Sequence, residues 1–286
     1  MITTHCPAKI NLCLKILNQR PDGFHNLLSL VSKINLFDVL SVEKSSSFSL
    51  KISGPFAKLI DNNNNLFLTI LNYFQENYSI NNNLKITLEK NIPVGAGLGG
   101  GSSNACSFMN ILNQIFELNL SNQELQKISL NFGSDIAFFF KETPQIMMSR
   151  GEVLHDFNNL KKLHIVLIYP QINLSTKKIF SEYSLTKKPT SSQDNLPTHD
   201  QNFLKNFSQQ QFFQMANDLE NIAIKHAPII EELKNICLNF QPITCKMSGS
   251  GSTVFAIFDN QKQAQLVSTK LQESYNNFFI KYLQNI

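Results

Sequence analysis

The chain has 286 residues, 42% of them hydrophobic, and a formal net charge of +4 from 25 basic and 21 acidic side chains. That length and apolar content fit one large domain or two ordinary ones, each with a real core. The basic residues are scattered, which argues against a nucleic-acid partner, and no apolar run is long enough for a signal peptide or a membrane span, so the expectation is a soluble, cytoplasmic chain.

Five cysteines without CxxC spacing read as free thiols in a reducing compartment. The histidines show no HxxxH or HExxH pattern, so no protein-ligated metal is expected. "DNNNN" from Asp61 to Asn65 reads as solvated turn, and the polar run from Thr186 to Gln211 as a mobile loop or lid.

In chain order, "AKINLCLKIL" alternates strictly. Ile10, Leu12, Leu14 and Ile16 face one way and Lys9, Asn11, Cys13 and Lys15 the other, which predicts a half-buried strand. "DVLSVEK" and "FSLKIS" predict further strands. "NLFLTILNYFQEN" has helical spacing through Leu66, Ile70, Leu71 and Phe74, and "LKITLEK" returns to period two. A glycine-rich loop follows, then a helix with Ala105, Phe108, Met109, Leu112 and Ile115 on one face. Ser121 and Glu124 predict a capping box. The second half gives a strand at "LHIVLIY", helices over Phe212 to Lys225 and Pro228 to Leu238, a strand at "STVFAIF", a last helix and a final strand "FFIKYL". Strands and helices mix without regular βαβ repetition, so the fold class is α+β, with a boundary near Leu154 to Leu160 dividing 1–155 from 156–286.

The loop "NIPVGAGLGGGSSNA" holds five of the eleven glycines. Gly95, Gly97 and Gly100 satisfy G-x-G-x-x-G, which admits a dinucleotide. Against it, the preceding strand alternates instead of being apolar throughout, and no acidic residue ends a following strand. A P-loop is excluded, because no glycine is followed by lysine. A mere helix-capping turn needs fewer glycines. The physics favours phosphate: flexible backbone can turn several N–H groups toward one anion, a helix start near Ser102 adds its positive dipole end, and Ser102 and Ser103 add hydroxyls.

Taken together, "PAKINLCLKI" with "RPDGFHNL", "IPVGAGLGGGSSNA", "GSDIAFF" and "MSGSGSTVFAIF" span nearly the whole chain. In that order they resemble the GHMP kinase superfamily, and more narrowly its branch that phosphorylates 4-diphosphocytidyl-2-C-methyl-D-erythritol in non-mevalonate isoprenoid synthesis. The resemblance implies two lobes, an N-terminal one like domain 2 of ribosomal protein S5 and a C-terminal ferredoxin-like one. It implies ATP held by Pro93, Val94, Gly95, Ala96, Gly97, Leu98, Gly99, Gly100, Gly101, Ser102 and Ser103. Mg²⁺ would be carried largely by ATP. Ala96 replaces the glycine of many relatives, which is harmless where φ is negative.

The same resemblance implies Asp135 as the base for an alcohol and Lys9 as its partner. Read without it, Asp135 fits a helix cap equally well, and Lys9 an exposed strand lysine. Phe24, His25 and Phe180 are implied to hold a cytosine, with Asn11 on the acceptor hydroxyls; alone, Phe180 fits a core position. Lys90 reads as a phosphate neighbour or a solvated lysine, and Gly249, Ser250 and Gly251 as a third family motif or a hairpin turn. A small-molecule substrate and a monomer or weak homodimer complete the expectation.

Overall fold

The computed structural model describes residues 1–20, 22–60, 66–186 and 207–286. Asp61 to Asn65 and most of the polar run from Thr186 to Gln211 lie outside them. Among the described residues, no helix is long and apolar enough to cross a membrane. The fold is α+β with two sheets.

Two compact units interleave in sequence. The first holds residues 1–8, 36–94 and 99–142; the second holds 9–35, 95–98 and 143–286. Strands β1 (Ile2–Asn11) and β3 (His25–Ser45) and the glycine loop pass from one to the other.

In the first unit the end of β3 pairs antiparallel with β5 (Asn83–Glu89), Val39 opposite Glu89 and Ser45 opposite Asn83. β4 (Ser49–Ser53) lies parallel on the other edge of β5. The predicted alternation holds: Leu84, Ile86 and Leu88 are buried while Lys85 and Glu89 are exposed. Helix α1 (Leu66–Tyr78) buries Phe67, Ile70, Leu71 and Phe74, so Phe67 takes the core place expected of Leu66. Its Phe67 ring meets Phe108 of α2 (Gly100–Ile115) edge to face, centroids 5.1 Å apart. The capping box of Ser121 and Glu124 opens α3 (Asn122–Ser129) as predicted.

In the second unit, the first half of β3 pairs with β2 (Lys15–Gln19) and with β6 (Gln145–Ser149), and β6 with β7 (Val153–Asp156). A four-stranded antiparallel sheet is ordered β11-β8-β10-β9, from β8 (His164–Tyr169), β9 (Thr244–Met247), β10 (Val254–Phe258) and β11 (Phe279–Gln284). Helices α4 (Thr176–Thr186), α5 (Gln209–Gln214), α6 (Glu220–His226) and α7 (Ile229–Leu238) come between β8 and β9, and α8 (Gln261–Ser274) between β10 and β11. This β-α-β-β-α-β order is the ferredoxin-like arrangement expected of the C-terminal half. Val166, Ile168, Val254, Ala256 and Ile280 of the sheet share one core with Ile222, Ile230, Leu233, Val267 and Leu271 of the helices.

Two elements depart from the sequence reading. The "AKINLCLKIL" strand ends at Asn11 and resumes at Lys15, and its polar side is not solvated: Lys9, Asn11 and Cys13 are buried. Their polar groups are bonded within the protein, so burial does not leave them orphaned. The helix expected over Phe212 to Lys225 is two, α5 and α6, broken by "MANDL". Here Leu14 N donates to Ala216 O at 3.3 Å and Asp218 N to Leu14 O at 2.8 Å, so the backbone serves a strand instead of a helix. The Asp218 carboxylate also accepts from Lys15 Nζ at 2.7 Å.

Candidate active site

β5 delivers the chain into the glycine loop, and α2 begins at Gly100, two residues before the predicted start. Gly95, Gly97 and Gly99 have φ of +63°, +76° and +67°, a region that L side chains rarely enter. Ala96 is not among the positive-φ residues, so its substitution for glycine costs no backbone strain. Gly99 caps α2 without a side-chain hydrogen bond, leaving first-turn N–H groups for another acceptor. Ser103 Oγ is fully buried in that turn and has no hydrogen-bond partner among the described residues. Among the described residues, no atom outside the helix lies within 4 Å of a Cβ built on Gly101. An uncapped helix start, an orphaned hydroxyl and open space fit an anionic ligand.

Within the second unit, the carbonyls of the loop's central residues are spent on protein. Gly95 O accepts from Leu174 N at 3.4 Å, Ala96 O from Thr253 N at 3.4 Å, Gly97 O from Ser248 Oγ at 2.9 Å and Leu98 O from Lys9 N at 2.9 Å. In a trans peptide the N–H points opposite to the C=O. The N–H groups of Ala96, Gly97 and Leu98 are therefore turned away from these partners, as an anion-binding backbone requires.

The third glycine motif is both a tight turn and a close approach. Gly251 N donates to Ser248 O at 3.0 Å, and Ser248 N to Thr253 O at 2.9 Å, closing the turn between β9 and β10. A Cβ on Gly249 would lie 3.2 Å from Gly97 O and 3.3 Å from Asn11 Oδ1. Ser250 Oγ shares a 2.8 Å hydrogen bond with Thr176 Oγ1.

Lys9 donates from Nζ to Asn11 Oδ1. Asn11 in turn donates from Nδ2 to Ser29 Oγ at 2.8 Å and from its backbone to Ser248 Oγ at 3.2 Å. Lys9, Asn11, the loop centre and the third motif thus form one bonded group. His25 faces Phe180 with ring centroids 6.1 Å apart, shares a 3.1 Å hydrogen bond with Ser184 Oγ, and has its pKa lowered by burial. Phe180 also packs against the core of this unit. Phe24 is half exposed, with the Arg150 guanidinium 5.1 Å above its ring.

In the first unit, Asp135 sits in the first turn of the short 3-10 helix Ser134–Phe140 and is partly buried. The helix is capped by Gly133, so Asp135 is not its cap. Lys90 is not solvated: it is buried, ion-paired with Asp38 and 3.2 Å from Asn104 Oδ1.

Three further residues shape these groups without having been singled out from sequence. Asp38 accepts from Asn91 N and Ile92 N at 2.7 and 2.8 Å. Asn217 donates to Met247 O and Gly249 O at 2.9 and 2.7 Å, holding the third motif. Lys246 Nζ donates to the carbonyls of Leu12, Phe212 and Met215. Asp38 carried a signal: it is in phase with Leu40 and Val42, a charge on an apolar face. Among the described residues, no group of three or more His, Cys, Asp or Glu side chains is placed to hold a metal.

Comparison with known proteins adds to this geometry. The model of the GHMP kinases N terminal domain matches residues 65–142, and that of the GHMP kinases C terminal domain residues 199–277. A 4-diphosphocytidyl-2-C-methyl-D-erythritol kinase of Clostridium beijerinckii is 33% identical over 96% of each chain. One from Syntrophus aciditrophicus is 34% identical over 95% of each. A crystal structure of a 4-(cytidine 5'-diphospho)-2C-methyl-D-erythritol kinase matches over the full length of both chains, with a TM-score of 0.77 and 25% identity.

Proposed function

The chain belongs to the GHMP kinases, within them to the 4-diphosphocytidyl-2-C-methyl-D-erythritol kinases, and from that premise we propose that it transfers the γ-phosphoryl group of ATP to the 2-hydroxyl of this acceptor. The observation that carries the reading is the loop itself: carbonyls tied to protein, N–H groups turned away, and an uncapped helix start beside the orphaned Ser103 hydroxyl.

In this reading Asp135 takes the hydroxyl proton as the acceptor oxygen attacks the γ-phosphorus. The bond from phosphorus to the β,γ-bridging oxygen breaks, and ADP leaves. Lys9, fixed by Asn11, is its proposed partner, a buried positive charge for the developing alkoxide. Phe24 and His25 hold the cytosine, His25 adding a ring N–H or lone pair, with Phe180, facing His25, as the second aromatic. Mg²⁺ carried by ATP would offset phosphate charge, and the buried Ser103 hydroxyl would be one group able to meet it or a phosphate oxygen. The sequence division at 1–155 and 156–286 is proposed for the family domains, since the interleaved compact units do not mark a boundary.

The test is ADP release by purified protein with ATP and Mg²⁺, comparing the diphosphocytidyl acceptor with homoserine and mevalonate. Release is expected with the first acceptor only. Turnover with either small alcohol at comparable kcat/KM would refute the assignment of the cytosine clamp.

A further inference from the structure

Asp38 is fully buried on β3 and accepts four hydrogen bonds. Two come from the backbone of Asn91 and Ile92, at 2.7 and 2.8 Å, where the chain enters the glycine loop. One comes from Asn104 Nδ2 at 2.9 Å, in α2 beyond the loop. The fourth comes from the Lys90 ammonium, which also donates to Asn104 Oδ1 at 3.2 Å. A Cβ built on Gly100 would meet Lys90 Nζ at 2.7 Å and Ile92 Cγ2 at 3.0 Å, so this cluster presses directly on the first residue of α2.

A buried ion pair is weak as a stabilising device, because desolvating both charges offsets their attraction. A fully satisfied polar cluster does fix geometry. Here one carboxylate grips the chain before the loop and the helix after it.

We propose that Asp38 is a positioning residue for phosphoryl transfer. Through Lys90 and Asn104 it locks the start of α2 against Asn91 and Ile92, so that the free N–H groups of the first turn are aimed before a nucleoside triphosphate arrives. Lys90 acts as a strut, its charge balanced by Asp38. Preorganisation of this kind lowers the ordering cost of binding. The proposal rests on the reading of the loop as the ATP site.

The test uses the full chain with Asp38→Asn, which keeps an oxygen acceptor but removes the charge opposite Lys90, and with Asn104→Ala, which removes only the anchor on α2. Affinity for a non-hydrolysable ATP analogue and KM for each substrate are measured. For Asp38→Asn, Kd for the analogue and KM for ATP are expected to rise about tenfold to a hundredfold. KM for the acceptor should stay within about twofold, a split that loss of folded protein would not produce. Asn104→Ala should show the same split at smaller size, and it decides the matter if Asp38→Asn does not fold. Wild-type analogue affinity in folded variants, with only the melting temperature lowered, overturns the proposal. Failure of the wild type to bind the analogue overturns instead the ATP reading beneath it.

Discussion

Ser248 Oγ donates to the carbonyl of Gly97 at 2.9 Å, while the carbonyl of Ser248 stands 2.1 Å from where a Cβ on Gly97 would be. The glycine is therefore required twice, by its φ of +76° and by the backbone of the third motif. Gly97→Ala should destabilise the protein by about 2–5 kcal/mol, from left-handed strain plus overpacking against backbone that cannot swing aside. Gly101 is the contrast. It lies in α2 with no atom of the described residues outside the helix within 4 Å of a built Cβ. Gly101→Ala should keep or raise the melting temperature, by up to about 1 kcal/mol of helix propensity, yet weaken ATP binding, because the methyl enters space assigned to phosphate. Thermal melts and analogue titrations of the two variants separate the roles. Equal behaviour of the two would mean that the loop's glycines do one job.

Asp135 occupies the first turn of its 3-10 helix, capped by Gly133. Asp135→Asn preserves shape but cannot accept the hydroxyl proton. We expect kcat to fall about 10²–10⁴-fold, the usual worth of a general base. ATP-analogue affinity should be unchanged, because the loss falls on the transition state. Single-turnover rates beside equilibrium binding check this; a drop in affinity matching the drop in rate would make Asp135 a binding residue instead.

The elements whose two faces differ were legible in the sequence. β5 alternates because one face is buried and the other wet, and α1, α2 and α3 announced themselves by apolar spacing or by the Ser121 and Glu124 cap. β3 was only half seen, since Leu27 to Ile34 are buried on both faces and contain Ser29, Ser32 and Lys33, which erases the period-two signal. The glycine loop and third motif could be read because backbone geometry restricts the residue type. Asn217 and Lys246 were invisible: each works by donating to carbonyls distant in sequence, and a carbonyl leaves no mark on composition. Asp38 is intermediate, betrayed by phase but explained only by the four donors that fold around it.

The His25 pKa is held below its ordinary 6.5 by burial, so the imidazole is neutral at pH 7. With the folded pKa lowered, the unfolded chain takes up the proton first as pH falls. The stability associated with neutral His25 is complete above 6.5 and is lost as pH drops through the folded value. Acceptor KM should be flat above about pH 7 and rise on the acid side, where an added proton removes the ring's lone pair for the cytosine. His25→Gln should raise KM at every pH and flatten that acid limb. KM profiles between about pH 5 and 8 test it; an acid limb unchanged in the variant would assign the titration to another group.

Lys246 poses the same case on the alkaline side. Its Nζ donates to the carbonyls of Leu12, Phe212 and Met215 at 2.9, 3.1 and 2.6 Å, and burial lowers its pKa to about 8. Cys13 and Glu220 favour the charge and Lys234 opposes it, but desolvation dominates. Between pH 8 and the ordinary lysine value of 10.5 the unfolded chain holds a proton that the folded chain has released. Stability therefore rises with pH through that window as the cost of a buried charge is relieved, and the full cost is present below it. Lys246→Met has no such titration. It should lose about 2–4 kcal/mol at neutral pH, because buried carbonyls lose their donor. Its deficit relative to wild type should widen between about pH 8 and 10. Denaturant unfolding of both proteins across that range measures the gap. A gap that narrows with pH would mean that the three carbonyls outweigh desolvation and hold the ammonium charged. The same variant frees the carbonyl of Leu12, next to Asn11, so acceptor KM should rise more than KM for ATP.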